Sequence, residues 1–150
     1  MTLEGVFSAC NLLAIAGWIL LLAVPRHRWA TVVAGTAIPL TLAAIYLALF
    51  LLHARESSGG FSSLAAVAQL FENRWLLLAG WVHYLAFDLF IGAWETRDAM
   101  ARRVSRLLLA PCLVTTFMLG PIGLLCYHVV RGRPYQPLDV PVLAPVTKAD

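Results

Sequence analysis

The most informative chemistry in the sequence is a set of ionisable side chains in and beside an apolar stretch. Asp88 lies near the middle of the run Trp75–Trp94, His83 lies earlier in it, and Glu95 and Asp98 follow its end. A charge inside a membrane span costs about 2.5–3.5 kcal/mol even on a lenient scale, which marks such residues as functional candidates. A carboxyl group kept from water can act as a general acid near neutral pH, and a neutral imidazole can act as a base. We take Asp88 as the candidate acid and His83 as the candidate base.

Structural roles are the alternative for both side chains. Asp88 can accept from backbone amides or pair with an arginine of a neighbouring loop, and His83 can donate to a helix carbonyl. A third interpretation is an ion path along Asp88, Glu95 and Asp98, which would require an oligomer. Imidazole and carboxylates can coordinate metals, but no H-E-x-x-H or E-x-x-H pair occurs, so we expect no metal.

Helical geometry places these side chains on two different faces. At about 100° per residue, Asp88 and Glu95 share a face, whereas His83 lies about 140° away from Asp88. In a straight helix Asp88 and His83 therefore do not touch, and they act together only around a kink or through other helices. The face of Asp88 also carries Trp81, Tyr84 and Gly92, and the face of His83 carries Phe87, Phe90 and Trp94.

Two other features interrupt the apolar runs. Asn11 lies about two turns into the first run, where its amide can hydrogen-bond across helices or orient Asp88 or a substrate hydroxyl. In the fourth run Pro121 has no amide hydrogen, so the carbonyl of Phe117 lacks its helical partner. Irregular backbone at membrane depth lines a cavity or is buried by protein. The candidate substrate-binding residues are Asn11, Trp81, Tyr84, Glu95, Thr116 and Phe117.

The composition excludes a soluble enzyme and makes a nucleic-acid binder a poor fit. Of the 150 residues, 61% are hydrophobic and 13% are charged, against about 45–50% and 25% in soluble domains. The net charge is only +3, and no basic stripe carries aromatic stacking residues. These values indicate a small integral membrane protein of one domain.

Four apolar runs predict the elements that position the candidate residues. A helix needs roughly 20 apolar residues to cross a bilayer, and the runs cover about residues 5–24, 33–52, 75–94 and 107–130. The predicted fold is all-α: a four-helix membrane bundle over residues 1–131 with a fourth helix kinked at its prolines. Residues 132–150 are rich in proline and predict an extended tail.

The loops predict one further helix and an orientation. Phe61, Leu64, Ala68 and Phe71 recur at helical spacing, which indicates a short helix on the membrane surface or packed on the bundle. With four spans both chain ends lie on one side. The arginines then mildly favour both ends outside the cytoplasm.

Two long motifs resemble a known family. GWVHYLAFDLFIGAWETRDA (residues 80–99) and LAPCLVTTFMLGPIGLLCY (residues 109–127) are similar to the abscisic-acid-deficient-four-like membrane proteins, which are related to plant neoxanthin synthase. NLLAIAGWILLLAVPR (residues 11–26) and GGFSSLAAVAQLF (residues 59–71) extend the resemblance to about residues 5–131.

The resemblance implies a membrane protein of carotenoid metabolism. The family's plant activity converts violaxanthin to neoxanthin by opening an epoxide and forming an allene, which needs one group to protonate the epoxide and another to remove a proton. Asp88 and His83 suit these roles. A non-catalytic module that binds carotenoid or lipid, or stabilises a complex, is the alternative.

We expect the following partners and location. The partners are a carotenoid or other apolar lipid-like substrate and membrane lipids, with no nucleic acid and no cofactor. The chain can also form a homo-oligomer. The expected location is a bacterial inner membrane, crossed several times.

Overall fold

The computed structural model describes residues 2–25 and 27–132, and every regular element within them is a helix. The elements are α1 (Leu3–Ala23), α2 (Arg28–Val32), a π-helical turn (Val33–Ala37), α3 (Ile38–His53), a 3-10 turn (Ala54–Glu56), α4 (Leu64–Glu72), α5 (Arg74–Ala101), α6 (Arg106–Leu119) and α7 (Pro121–Val130). The all-α prediction is confirmed. The predicted tail lies outside the described residues except for Gly132.

Three helical segments in the described part of the chain are long and apolar enough to cross a membrane. They are Leu3–Ala23, Arg28–Glu56 and Arg74–Ala101, and they contain most of the first three predicted runs. Polar side chains define where two of them begin. The Thr2 hydroxyl accepts from the Gly5 amide at 3.2 Å, and the Asn73 side chain accepts from the Trp75 amide at 2.9 Å, which satisfies amides that have no partner within the helix.

Helix α5 is the centre of the fold, because α1, α3 and α6 all pack against it. Its Val82 and Leu89 are fully buried. At Gly92 the ring of Trp18 from α1 lies directly against the α5 backbone, where any Cβ would collide with it. Close packing of this kind buries the face of α5 that carries Gly92 and Glu95.

The fourth apolar run differs from the prediction of a single kinked span. It forms two helices, α6 and α7, that fold back on each other as a hairpin. Gly120 makes the turn with φ 43° and ψ −97°, and Pro121 begins α7. At Gly123 a Cβ would collide with the backbone nitrogen and Cα of Thr116, although these residues would be about 10 Å apart along one straight helix.

The hairpin changes the expected arrangement of the chain ends. Glu4 and Arg74 pair at 3.5 Å, so α1 and α5 begin at the same end of the bundle. Arg131 bonds Asp98 near the last residues of α5, at the opposite end. The two helices of the hairpin span about 21 and 15 Å, each shorter than the ~30 Å core of a bilayer. The described chain therefore begins and ends at opposite ends of the bundle, unlike the predicted arrangement.

The short helix predicted in the long loop is present as α4. The Ser63 hydroxyl accepts from the Ala66 amide at 3.1 Å and begins it. Leu70 is buried, and the ring of Phe71 lies against Gly80 of α5. Helix α4 thus packs on the bundle and covers the first half of α5.

Candidate functional site

The carboxyl group of Asp88 faces the tip of the hairpin. Its two oxygens lie 3.0 and 3.1 Å from the position that a Cβ would take at Gly120, so glycine leaves the room that the carboxyl group occupies. Oδ2 is buried and has no hydrogen-bond partner within residues 2–25 and 27–132. Since buried polar atoms are nearly always bonded, this oxygen is a candidate contact for a ligand atom.

Tyr84 lies one turn before Asp88 on the same face and bonds the broken backbone of the hairpin. Its hydroxyl donates to the Phe117 carbonyl at 3.0 Å. This is the carbonyl that Pro121 leaves without a helical partner, as the sequence predicts. The irregular backbone is therefore joined to the candidate site by a side chain of α5.

Glu95 is the second acidic group on this face and is fully buried. Its oxygens lie 3.0 and 3.1 Å from the Thr116 hydroxyl, which can donate to one of them at a time. No basic group bonds Glu95 in the described part of the chain. The Thr116 hydroxyl is therefore the side-chain donor that the structure places at the Glu95 carboxyl group.

His83 lies on a different face of α5, as helical geometry predicts. Its ring centroid is 4.6 Å from that of Phe87 and 5.6 Å from that of Tyr46 on α3. It lines a cavity of about 200 Å³ among α3, α4 and α5. The structure brings Asp88, Tyr84 and Phe117 together, and Glu95 with Thr116, but it does not bring His83 to Asp88.

An apolar groove of about 610 Å³ lies among α1, α4 and α5. Phe7, Phe71, Trp81 and Tyr84 form its aromatic walls. The Trp81 indole donates to the Asn11 side chain at 3.2 Å, and Asn11 donates in turn to the Phe7 carbonyl at 2.7 Å. Among the predicted substrate-binding residues, Trp81 and Tyr84 line the groove, whereas Asn11 holds Trp81 in place.

A cluster around Asp98 fastens the end of the hairpin to α5. Asp98 accepts from Arg102 at 2.8 Å, from the Tyr127 hydroxyl at 2.7 Å and from two nitrogens of Arg131 at 3.1 Å. Arg131 also lies over the ring of Trp94, 5.2 Å from its centroid. These bonds give Asp98 an evident structural role. The i,i+4 spacing of Asp98 and Arg102 is a signal for the contact between them. The contacts of Asp98 with Tyr127 and Arg131 form because the hairpin returns to the end of α5.

Comparison with known proteins identifies a family. The model of a family described as ABA DEFICIENT 4-like matches residues 5–127, from α1 into α7. This confirms the resemblance carried by the sequence motifs. No curated protein and no solved structure matches the chain.

Proposed function

The chain belongs to the ABA DEFICIENT 4-like family, and from this membership and the site on α5 we propose that it is a membrane-embedded carotenoid-modifying isomerase related to neoxanthin synthase. The observation that carries the proposal is the carboxyl group of Asp88, which is placed mid-helix against Gly120 with Oδ2 unpartnered. A half-buried carboxyl group with one enclosed oxygen that has no hydrogen-bond partner is typical of a group that acts on a substrate.

Conversion of the epoxide to an allene requires one proton to be added to the epoxide oxygen and another to be removed from the adjacent chain carbon. In the proposed step Asp88 donates its proton to the epoxide oxygen as the C–O bond breaks. A proton then leaves the adjacent chain carbon, and the electrons of that C–H bond form the second double bond of the allene. The second carboxyl oxygen of Asp88 takes this proton, so the acid is regenerated and the product is an isomer of the substrate. The geometry favours this over a base role for His83, which lies on another face.

The groove supports an apolar, elongated substrate. Its walls are aromatic, and Tyr84 both lines the groove and lies one turn from Asp88. A polyene chain in the groove would contact Phe7 and Trp81, while its ring end group approaches Asp88 past Tyr84. Burial of such a chain is driven by dispersion and shape, because the groove presents few polar atoms.

Pigment analysis tests the proposal. The chain is produced in bacteria engineered to accumulate violaxanthin, and the pigments are separated by liquid chromatography with mass detection. We expect a new peak of unchanged mass and shifted retention that is missing from cells with an empty vector. Cells that contain folded protein but no isomer of any supplied epoxy-carotenoid would contradict the proposal.

A second candidate is a non-catalytic carotenoid-binding module, which one observation favours. The polar side chains that line the groove already have partners. Trp81 bonds Asn11, Tyr84 bonds the Phe117 carbonyl, and Glu4 pairs with Arg74. Such a lining can hold a polyene without reacting with it. Carotenoid that copurifies with the protein in unchanged form, with no isomer in the cells, would support this candidate over the enzyme.

The proposed membrane location leads to a prediction about sidedness. In a Cys126→Ser background, we expect Ser58→Cys to react with a membrane-impermeant maleimide in intact cells. Ser105→Cys and Gly132→Cys should react only after permeabilisation, because the arginine-rich end faces the cytoplasm and the hairpin returns to that end. A fourth span would instead make Gly132→Cys behave like Ser58→Cys, which would contradict the hairpin.

A further inference from the structure

We propose that the connection between α5 and α6 binds the phosphate headgroup of an anionic phospholipid. A cavity of about 440 Å³ lies there, separate from the aromatic groove. Arg103, Ser105 and Arg106 form its polar part, and Pro25, Met100 and Leu109 contribute to its apolar part. The inference rests on the membrane location proposed above but not on the chemistry at Asp88.

The two arginines are available to a ligand. The side chains of Arg103 and Arg106 have no hydrogen bond and no ion pair within the described residues, in contrast to the side chain of Arg131, which is held by Asp98. Each guanidinium carries five N–H donors in a planar arrangement that fits phosphate oxygens in pairs. Two such groups beside one cavity can therefore neutralise and orient a phosphate.

The backbone places Arg103 at the cavity in a conformation unusual for its type. Its φ is 58°, in the left-handed region that few side chains other than glycine and asparagine adopt. The turn is closed by bonds from the Arg103 amide to the Met100 carbonyl at 3.3 Å and from the Val104 amide to the Ala99 carbonyl at 2.9 Å. The turn thus keeps Arg103 beside the cavity at the end of α5.

The position of the cavity favours a lipid over free phosphate. Helix α5 has 28 residues and is about 42 Å long, which exceeds a ~30 Å hydrocarbon core. Arg97, Asp98 and Arg102 lie at its end, and charged side chains are far less costly in the headgroup layer than in the hydrocarbon core. The apolar part of the cavity, with Met100 and Leu109, lies beside the arginines and suits the first carbons of acyl chains. Free phosphate would leave this part unused.

The distribution of arginines points to the anionic leaflet. Of the eight arginines in residues 2–25 and 27–132, six lie at this end and two, Arg55 and Arg74, lie at the other. Basic residues concentrate on the cytoplasmic side of membrane proteins, and that leaflet carries anionic lipids. The six are Arg28, Arg97, Arg102, Arg103, Arg106 and Arg131.

Lipid-dependent thermal stability tests the proposal. The full chain in neutral detergent is unfolded by heat with tryptophan fluorescence as the readout, with phosphatidylglycerol or with phosphatidylcholine of the same acyl chains. We expect phosphatidylglycerol near a hundredfold excess over its Kd to raise the Tm by about 5 °C more than phosphatidylcholine does. The Arg103→Gln/Arg106→Gln double variant should lose this difference. The matched control, Arg55→Gln/Arg74→Gln, removes the same charge at the other end and should retain it.

Several outcomes would overturn the proposal. One is a phosphatidylglycerol effect that survives in the double variant, and another is equal protection by both lipids. Inorganic phosphate alone is the third probe, and protection equal to that of phosphatidylglycerol would assign the site to free phosphate. The single variants Arg103→Gln and Arg106→Gln, each expected to halve the shift, replace the double variant if it does not fold. Failure here leaves the pigment assay unaffected, so the two proposals are tested separately.

Discussion

Asp88→Asn is expected to reduce isomer formation by at least about a hundredfold while the protein still folds. General acid–base catalysis contributes about 10²–10⁴-fold to rates, and an amide cannot transfer the proton that the epoxide oxygen needs. Asparagine has nearly the same shape as aspartate, so its side chain fits against Gly120 as the carboxyl group does. Because Oδ2 has no partner in the described residues, the exchange breaks no bond at this atom. The measurement is the ratio of isomer to supplied pigment per unit of folded protein.

His83→Gln is the matched control for Asp88→Asn. Both substitutions remove an ionisable group from α5, but His83 lies against Phe87 and Tyr46 on another face. We expect it to change isomer formation by less than about threefold, well below a general acid–base contribution. If Asp88→Asn retained most of the turnover, the carboxyl mechanism would be wrong. If His83→Gln instead abolished turnover in a folded protein, His83 would be the catalytic base, as the sequence predicts.

The loss of Asp88 also separates the two functional candidates. A binding module needs the aromatic groove but not the carboxyl group, so its pigment should copurify equally with Asp88→Asn. Trp81→Ala removes a wall of the groove and the hydrogen bond to Asn11, and it should reduce pigment binding under either candidate. Comparison of Asp88→Asn with Trp81→Ala therefore distinguishes a site that converts the pigment from a site that only binds it.

Much of the position of Asp88 could be predicted from the sequence. Roughly 20 apolar residues in a row predict a spanning helix, and the spacing within that helix alone places Asp88 and Glu95 on one face and His83 on another. The missing amide of Pro121 likewise predicts that the Phe117 carbonyl needs a partner outside its helix. These are local properties, because they depend only on helical periodicity and on which backbone groups a residue carries.

The hairpin could not be predicted in the same way. Residues 107–130 have the length and composition of a span, and a proline inside a helix is compatible with a kink. What distinguishes the hairpin is contact between residues far apart in a helix, such as Gly123 on Thr116 and Arg131 on Asp98. Local periodicity carries no information about such contacts. Helical spacing therefore identifies Asp98 and Glu95 as candidates, but it does not identify Tyr127 and Arg131 as partners of Asp98 or Thr116 as the partner of Glu95.

Gly123→Ala is expected to lower the Tm in detergent by about 5–10 °C. A Cβ at this position would collide with the backbone nitrogen and Cα of Thr116 as well as its hydroxyl. Helix α7 must then move away from α6, at a cost near the upper part of the ~1–3 kcal/mol typical of overpacking. The shift would also disturb Thr116, the hydrogen-bond donor to the buried Glu95. Thermal unfolding followed by tryptophan fluorescence measures the effect.

Gly60→Ala supplies the control for this hairpin variant. It makes the same chemical change in a loop glycine where a Cβ would meet nothing within 4 Å, so its Tm should stay within about 1–2 °C of the parent. Adding Thr116→Ala should not rescue Gly123→Ala, because the collision involves the Thr116 backbone and not only its side chain. Equal stability of the two glycine variants would mean that α6 and α7 do not pack this closely. The hairpin turn at Gly120 would then lie elsewhere, and the surroundings of Asp88 would differ from those described above.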